Sequence, residues 1–198
     1  MDNRPVWANM LVMKAMPQFH NRLVAALVLV LAFCQPSWGQ TAKLDALFLR
    51  LQDPSAEDFD RVTQEIWIEW SKSGSPSVDL LFQRGQQAMA MGDVATAIEH
   101  FTAVIDHAPD FAEGWNRRAT AYFQIGDFGP SVSDISHVLS LNPRHFGALA
   151  GLGMIFEQLD RPEKALEVYK AALAINPHLT DTAAAITRLE QSLAGQDL

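Results

Sequence analysis

The groups in this 198-residue chain that could do chemistry are few: 23 acidic side chains, six histidines and one cysteine. Their spacing builds no site. A metal centre on a helix needs paired cysteines or histidines one turn apart. Here His100, His107, His137, His145 and His178 share no face, and Cys34 stands alone. Neither a nucleophile elbow nor a phosphate-cradling P-loop occurs. Gly147, Gly151 and Gly153 imitate a glycine-rich phosphate loop, but no strand pattern precedes them, so close packing is the expectation. Most Asp and Glu positions look like solvated faces. The sequence therefore predicts no catalytic residue, no metal and no cofactor: the chain is expected not to be an enzyme.

Net charge narrows the partners. At −8 the chain has no basic stripe to neutralise a run of phosphates, which argues against nucleic acid, and adsorption to anionic lipid is equally disfavoured. Hydrophobic residues make up 48%, enough for a packed core.

The first forty residues have another character. Arg4, Lys14 and Arg22 precede an eleven-residue apolar run, Leu23 to Phe33, and Ser37-Trp38-Gly39 follows Pro36. A basic region, a short apolar core and a small-x-small exit describe a secretory leader over residues 1–39, cut after Gly39. The run is too short for a stable membrane span, so no transmembrane anchor is expected after cleavage. A buried helix and an uncleaved anchor are the competing readings. Met13 and Met16 are alternative starts, and Phe33 occupies the place where lipidation at Cys34 would want a small residue. Cleavage removes the one thiol and leaves 12 basic and 22 acidic residues, a net −10. The expected location is an exported one, a bacterial periplasm.

Stepping along the remainder, one interval dominates. Pro109, Pro143 and Pro177 lie 34 apart, and so do Gly85, Ala119 and Gly153. Ala97, Ser131 and Ala165 keep the same interval, as do Phe101, Ile135 and Tyr169, and Leu81, Trp115 and Leu149. Leu81, Gly85 and Ala88 fall on one face of a helix, Gly92-Asp93 and Gly126-Asp127 break the pattern, and Ala97, Phe101 and Val104 mark a second helix. In the third unit Asp160-Arg161-Pro162 takes the turn, with Asp160 a candidate cap. Each closing proline forces the residue before it out of the helical region. The small residues let two helices cross closely while Phe101 or Tyr169 fills the space alongside.

These units resemble tetratricopeptide (TPR) repeats, over residues 78–111, 112–145 and 146–179, with Trp115, Ala119 and Tyr122 closest to the family pattern. Arg84 and Arg118 depart from it where an apolar residue is usual, and Ser131 replaces Ala. The resemblance implies an all-α fold, an α-solenoid of stacked antiparallel hairpins. It also implies a single capping helix over 180–198, where Thr180-Asp181 can cap and Ala183, Ile186, Leu189 and Leu193 recur at helical spacing. Residues 40–77 read as a degenerate hairpin and linker that caps the N-terminal side. Ser55 and Asp58 suggest a capping box there, Gly74 a stop, and Trp67 shifted by 34 falls on Phe101. Trp67 and Trp70 are expected in the core.

In such a solenoid the first helix of each unit lines the concave side. That places Phe82, Gln86, Met89, Asn116, Arg117, Thr120, Phe123, Gln124, Met154 and Glu157 in a groove expected to hold a partner protein or peptide through apolar contact and amide hydrogen bonds. One TPR subclass grips a peptide's terminal carboxylate with Lys and Asn. The matching positions here include Phe82, Gln86, Gly147 and Gly151, and only Arg117 is basic, so that grip is not expected. The predicted function is a non-catalytic interaction module. The alternative is an accessory subunit of a cell-envelope enzyme or assembly complex, contacting it through the N-terminal hairpin or the convex face.

Overall fold

A computed structural model describes residues 38–53, 55 and 57–196. The leader through Ser37, Cys34 and the alternative starts lie outside these residues. The chain divides into two units, Met1–Ala42 and Lys43–Leu198. Of the first, only the opening of a helix is described.

Among the described residues there are nine helices and no strand: α1 (Trp38–Leu51), α2 (Phe59–Trp70), α3 (Pro76–Ala90), α4 (Val94–His107), α5 (Ala112–Gln124), α6 (Phe128–Leu141), α7 (Phe146–Gln158), α8 (Pro162–Ile175) and α9 (Thr180–Gln196). The pairs α3/α4, α5/α6 and α7/α8 are the three hairpins. Each stacks on the next, and α9 closes the row against α8. The solenoid expected from the 34-residue interval is therefore present, with its capping helix.

The interval works through backbone geometry and close crossings. Gly92 and Gly126 hold φ of +77° and +75° in the turns within the hairpins, a conformation that costs side-chain-bearing residues 1–2 kcal/mol or so. Ala108, Asn142 and Asn176, each before a proline, take extended φ of −144°, −138° and −129° and end their helices. A Cβ on Gly85 would lie 2.5 Å from Phe101, and one on Gly153 would lie 2.3 Å from Tyr169. In the middle unit Ser131 donates its hydroxyl to the Ala119 carbonyl at 2.8 Å, so its oxygen is satisfied where the family prefers a methyl. Arg118 is no misfit either. Its guanidinium makes two 2.8 Å bonds to Asp134 and a third to Thr102, tying the first two units together.

Two local expectations are corrected. Asp160 is not a helix cap: it carries the left-handed turn itself, at φ +53°, and Arg161 is the residue at the cap of α8. The capping box at Ser55 does not form either. The Ser55 hydroxyl bonds Asp53, and the Asp58 carboxylate is taken by Arg50 and Arg61.

The larger correction concerns the N-terminal hairpin, α1 and α2. Its apolar face (Leu47, Phe48, Leu51, Val62, Ile66) packs on Phe146, Ile175 and Leu179, at the turns that join the second unit to the third and the third to α9. Arg144 pairs with Asp45 at 2.7 Å and lies over the Phe48 ring; Phe59 stacks on His178 at 4.3 Å. The hairpin thus lies along the far turns of the solenoid instead of extending its stack at the first unit. Trp67 does not play the part of Phe101: its indole covers Gly147, where a Cβ would come within 2.6 Å. The shape that accepts it is set by a glycine 80 positions away, which no within-repeat comparison reveals.

Candidate functional site

The first helices of the second and third units, α5 and α7, border an open surface. Between α5 and α7 that surface deepens into a pocket of about 390 Å3. Phe123, Met154 and Ile155 give it apolar walls, Ala150 and Gly151 keep its α7 side low, and Asn116, Thr120 and Gln124 supply polar atoms. No lining side chain carries a charge. The pocket is open at Gly151, where a Cβ would meet nothing within 4 Å. Met154 remains 48% exposed, an apolar side chain without a protein partner on its outer face.

Of the ten groove residues predicted from sequence, five line this pocket: Asn116, Thr120, Phe123, Gln124 and Met154. Phe82 instead is buried among Phe101 and Phe111 and belongs to the core of the first unit, which Met89 joins as a partly buried neighbour. Gln86 is exposed outside the pocket. Glu157 is committed elsewhere, accepting the Tyr169 hydroxyl at 2.8 Å and pairing with Arg188 at 2.7 Å. Burial, and then that carboxylate, push the Tyr169 hydroxyl well above its ordinary pKa. Arg117 sits beside the pocket with its Nε 3.5 Å from Glu113 Oε2, near enough for charge attraction but outside hydrogen-bond geometry.

Bonded to the lining residue Asn116 is a buried polar cluster that sequence reading missed. His145 and Glu113 are both fully buried, and His145 Nε2 lies 2.8 Å from a Glu113 oxygen. Nδ1 of the same ring accepts the Ala148 amide at 3.0 Å and caps α7. That acceptor role places the ring proton on Nε2, donating to the carboxylate. Burial alone pushes the Glu113 carboxyl up. The His145 hydrogen bond and the attraction of that ring, then the Arg117 charge and the Asn116 amide, together outweigh it and hold the group below its usual range. On the outer side the His145 ring stacks on Trp70 at 4.4 Å. The 34-residue interval did contain a signal: His145 occupies the same place as Phe111 and Leu179, an apolar column. A polar ring there must be buried with a partner.

With this geometry described, comparison with known proteins decides the family. The description "Tetratricopeptide repeat" matches residues 82–129 and again 146–179. A TPR repeat-containing protein of Rhizobium etli is 35% identical over 154 residues, covering 77% of this chain and 76% of its own. The chain belongs to the tetratricopeptide-repeat family. Small glutamine-rich tetratricopeptide repeat-containing protein 2 of Saccharomyces cerevisiae is 30% identical over 119 residues, 60% of this chain, and the chain spans about a third (34%) of that relative. Among solved structures, the first TPR of Spaghetti (RPAP3), bound to an HSP90 peptide, is 25% identical. It superposes with a TM-score of 0.57 over 59% of this chain and 93% of that one. MamA, at 19% identity, shares the fold, with a TM-score of 0.57 over 71% and 86% of the two chains. A TPR solenoid is a protein–protein interaction module. No group of three or more metal-ligating side chains occurs among the described residues, and no described helix is long and apolar enough to cross a membrane.

Proposed function

We propose that the pocket between α5 and α7 is the partner-binding site, and that it takes an uncharged, apolar stretch of a peptide or protein. The observation that carries this reading is the uncharged lining around exposed Met154, opened by a glycine that no packing contact requires. Apolar groups entering such a pocket gain roughly 25 cal/mol per Å2 buried, and exposed Gln124 is placed to bond the incoming backbone. The Spaghetti domain holds a peptide that ends in Glu-Glu-Val-Asp. The pocket here has no basic side chain in its lining, which favours a different ligand chemistry. The module is non-catalytic on this reading.

The test is Gly151→Leu, which fills the pocket from a position whose Cβ is free of contacts. It should abolish capture of partners crosslinked from a photoreactive residue at position 123, while thermal stability is kept or improved. Unchanged crosslinking would sink the assignment. We further propose export to a periplasm, supported by the charged, apolar and small-residue sequence of residues 1–39. Amino-terminal sequencing of the native protein should begin at Gln40; a chain that begins upstream of Leu23 would refute it.

A further inference from the structure

Each unit leaves one large apolar side chain in solvent at the same place. Met91, Ile125 and Leu159 directly follow the first helix of units one, two and three. They are 77%, 57% and 46% exposed. They lie 34 residues apart, so stacking of equivalent units sets them in a row along the edge of the solenoid where each hairpin turns. Scattered exposed apolar residues are ordinary, but these three recur at one structural position of successive units. None of the three lines the α5–α7 pocket.

Charge says what kind of partner would cover the strip. Asp93 and Asp127 follow Met91 and Ile125 by two residues, and both are exposed. Neither has a cation nearby in sequence: no Lys or Arg lies between Arg84 and Arg117, around Asp93, or between Arg118 and Arg144, around Asp127. In the third unit Arg161 and Lys164 stand beside Asp160 and Glu163, so the strip is acidic at its first two positions and balanced at its third.

We propose that the Met91–Ile125–Leu159 edge is a second docking surface, and that its occupant is a basic amphipathic segment of a partner protein. Leucine-like side chains of the segment cover the strip, and its Lys or Arg residues face Asp93 and Asp127. This surface is independent of the pocket, so either assignment can fail without the other.

The experiment uses the full chain and a fluorescent synthetic Leu/Lys amphipathic peptide of about 18 residues. Two control peptides keep its pattern, one with Glu for every Lys and one with Ser for every Leu. The Leu/Lys peptide should bind, and Met91→Ser/Ile125→Ser/Leu159→Ser should weaken it at least about tenfold with the melting temperature held, since all three side chains are in solvent. Gly151→Leu should bind as wild type. Raising salt from about 50 to about 500 mM should weaken binding, and both control peptides should fail. Equal binding by the triple-serine chain, or by the Glu or Ser peptide, overturns the proposal. So does a concentration-dependent dimer that the three serines abolish, because the occupant would then be a second copy. Binding of anionic vesicles through the same three residues overturns it in favour of a membrane.

Discussion

Gly151 and Gly153 lie two residues apart on α7, and alanine at each should shift stability in opposite directions. Inside a helix, Gly→Ala gains about 1 kcal/mol from reduced chain entropy. At position 151 nothing stands within 4 Å of the new methyl, so the gain is kept and Tm should rise by about 2–4 °C for a chain of this size. At position 153 the methyl would sit 2.3 Å from Tyr169 Cε1 and 2.5 Å from Cδ1, where carbon pairs need ~3.5–4.0 Å. The ring cannot easily retreat. Tyr169 is buried, its hydroxyl is bonded to Glu157, and Glu157 is held by Arg188. Overpacking of this kind costs about 1–3 kcal/mol, which offsets the helical gain and leaves a net loss of up to about 2 kcal/mol. Tm should therefore fall by up to about 8 °C. Urea and thermal melts followed by far-UV circular dichroism separate the two variants. In a Tyr169→Leu background the ring is gone, and Gly153→Ala should become neutral or stabilising. Equal stability of the two single variants, or a loss at 153 that persists without the ring, would refute the close-crossing argument.

Two further outcomes follow from the buried charges. Arg118→Met leaves Asp134 buried without its guanidinium, at 4% exposure, and should cost about 3–5 kcal/mol in urea melts. Asp134→Asn in the same chain should recover much of that loss. Glu113 has a folded pKa below its unfolded value, so its contribution is full above the ordinary carboxylate range and is lost as pH falls through the lowered value. Glu113→Gln keeps an acceptor for His145 Nε2–H. Stability should then fall less steeply with acid, by roughly one proton in the slope of unfolding free energy against pH.

How much of this was legible in the sequence divides by the range of the interaction. A proline, a turn glycine and a glycine facing a ring act within one hairpin. Their 34-residue recurrence therefore exposes the solenoid, and with it Asn116, Thr120, Phe123, Gln124 and Met154 as pocket-lining residues. Phe82 was misplaced because a helix face at its border is decided by neighbouring turns: Phe111, in the turn that closes the same unit, draws it inward. Trp67 was opaque for a related reason, and His145 showed only as a polar ring in an apolar column, its partner unnamed. Each is explained by a partner far along the chain, Glu113 and Gly147 respectively, and periodicity records only what repeats.

The folded-back hairpin changes how this solenoid should come apart. In an ideal array each unit touches only its neighbours, so the ends fray first and loss propagates unit by unit. Here Arg144 reaches Asp45 across 99 residues, Gln52 reaches the Ala174 carbonyl across 122, and His178 reaches the Asp53 carbonyl across 125. During synthesis α1 and α2 must wait for the residues up to Leu179 before they find all these partners. Once they do, the early and late ends of the array are joined, and opening α8 or α9 means releasing α1 and α2 as well. A chain built for gradual, local unravelling is thereby given a long-range closure, and hydrogen exchange in α2 should slow in step with that in α8.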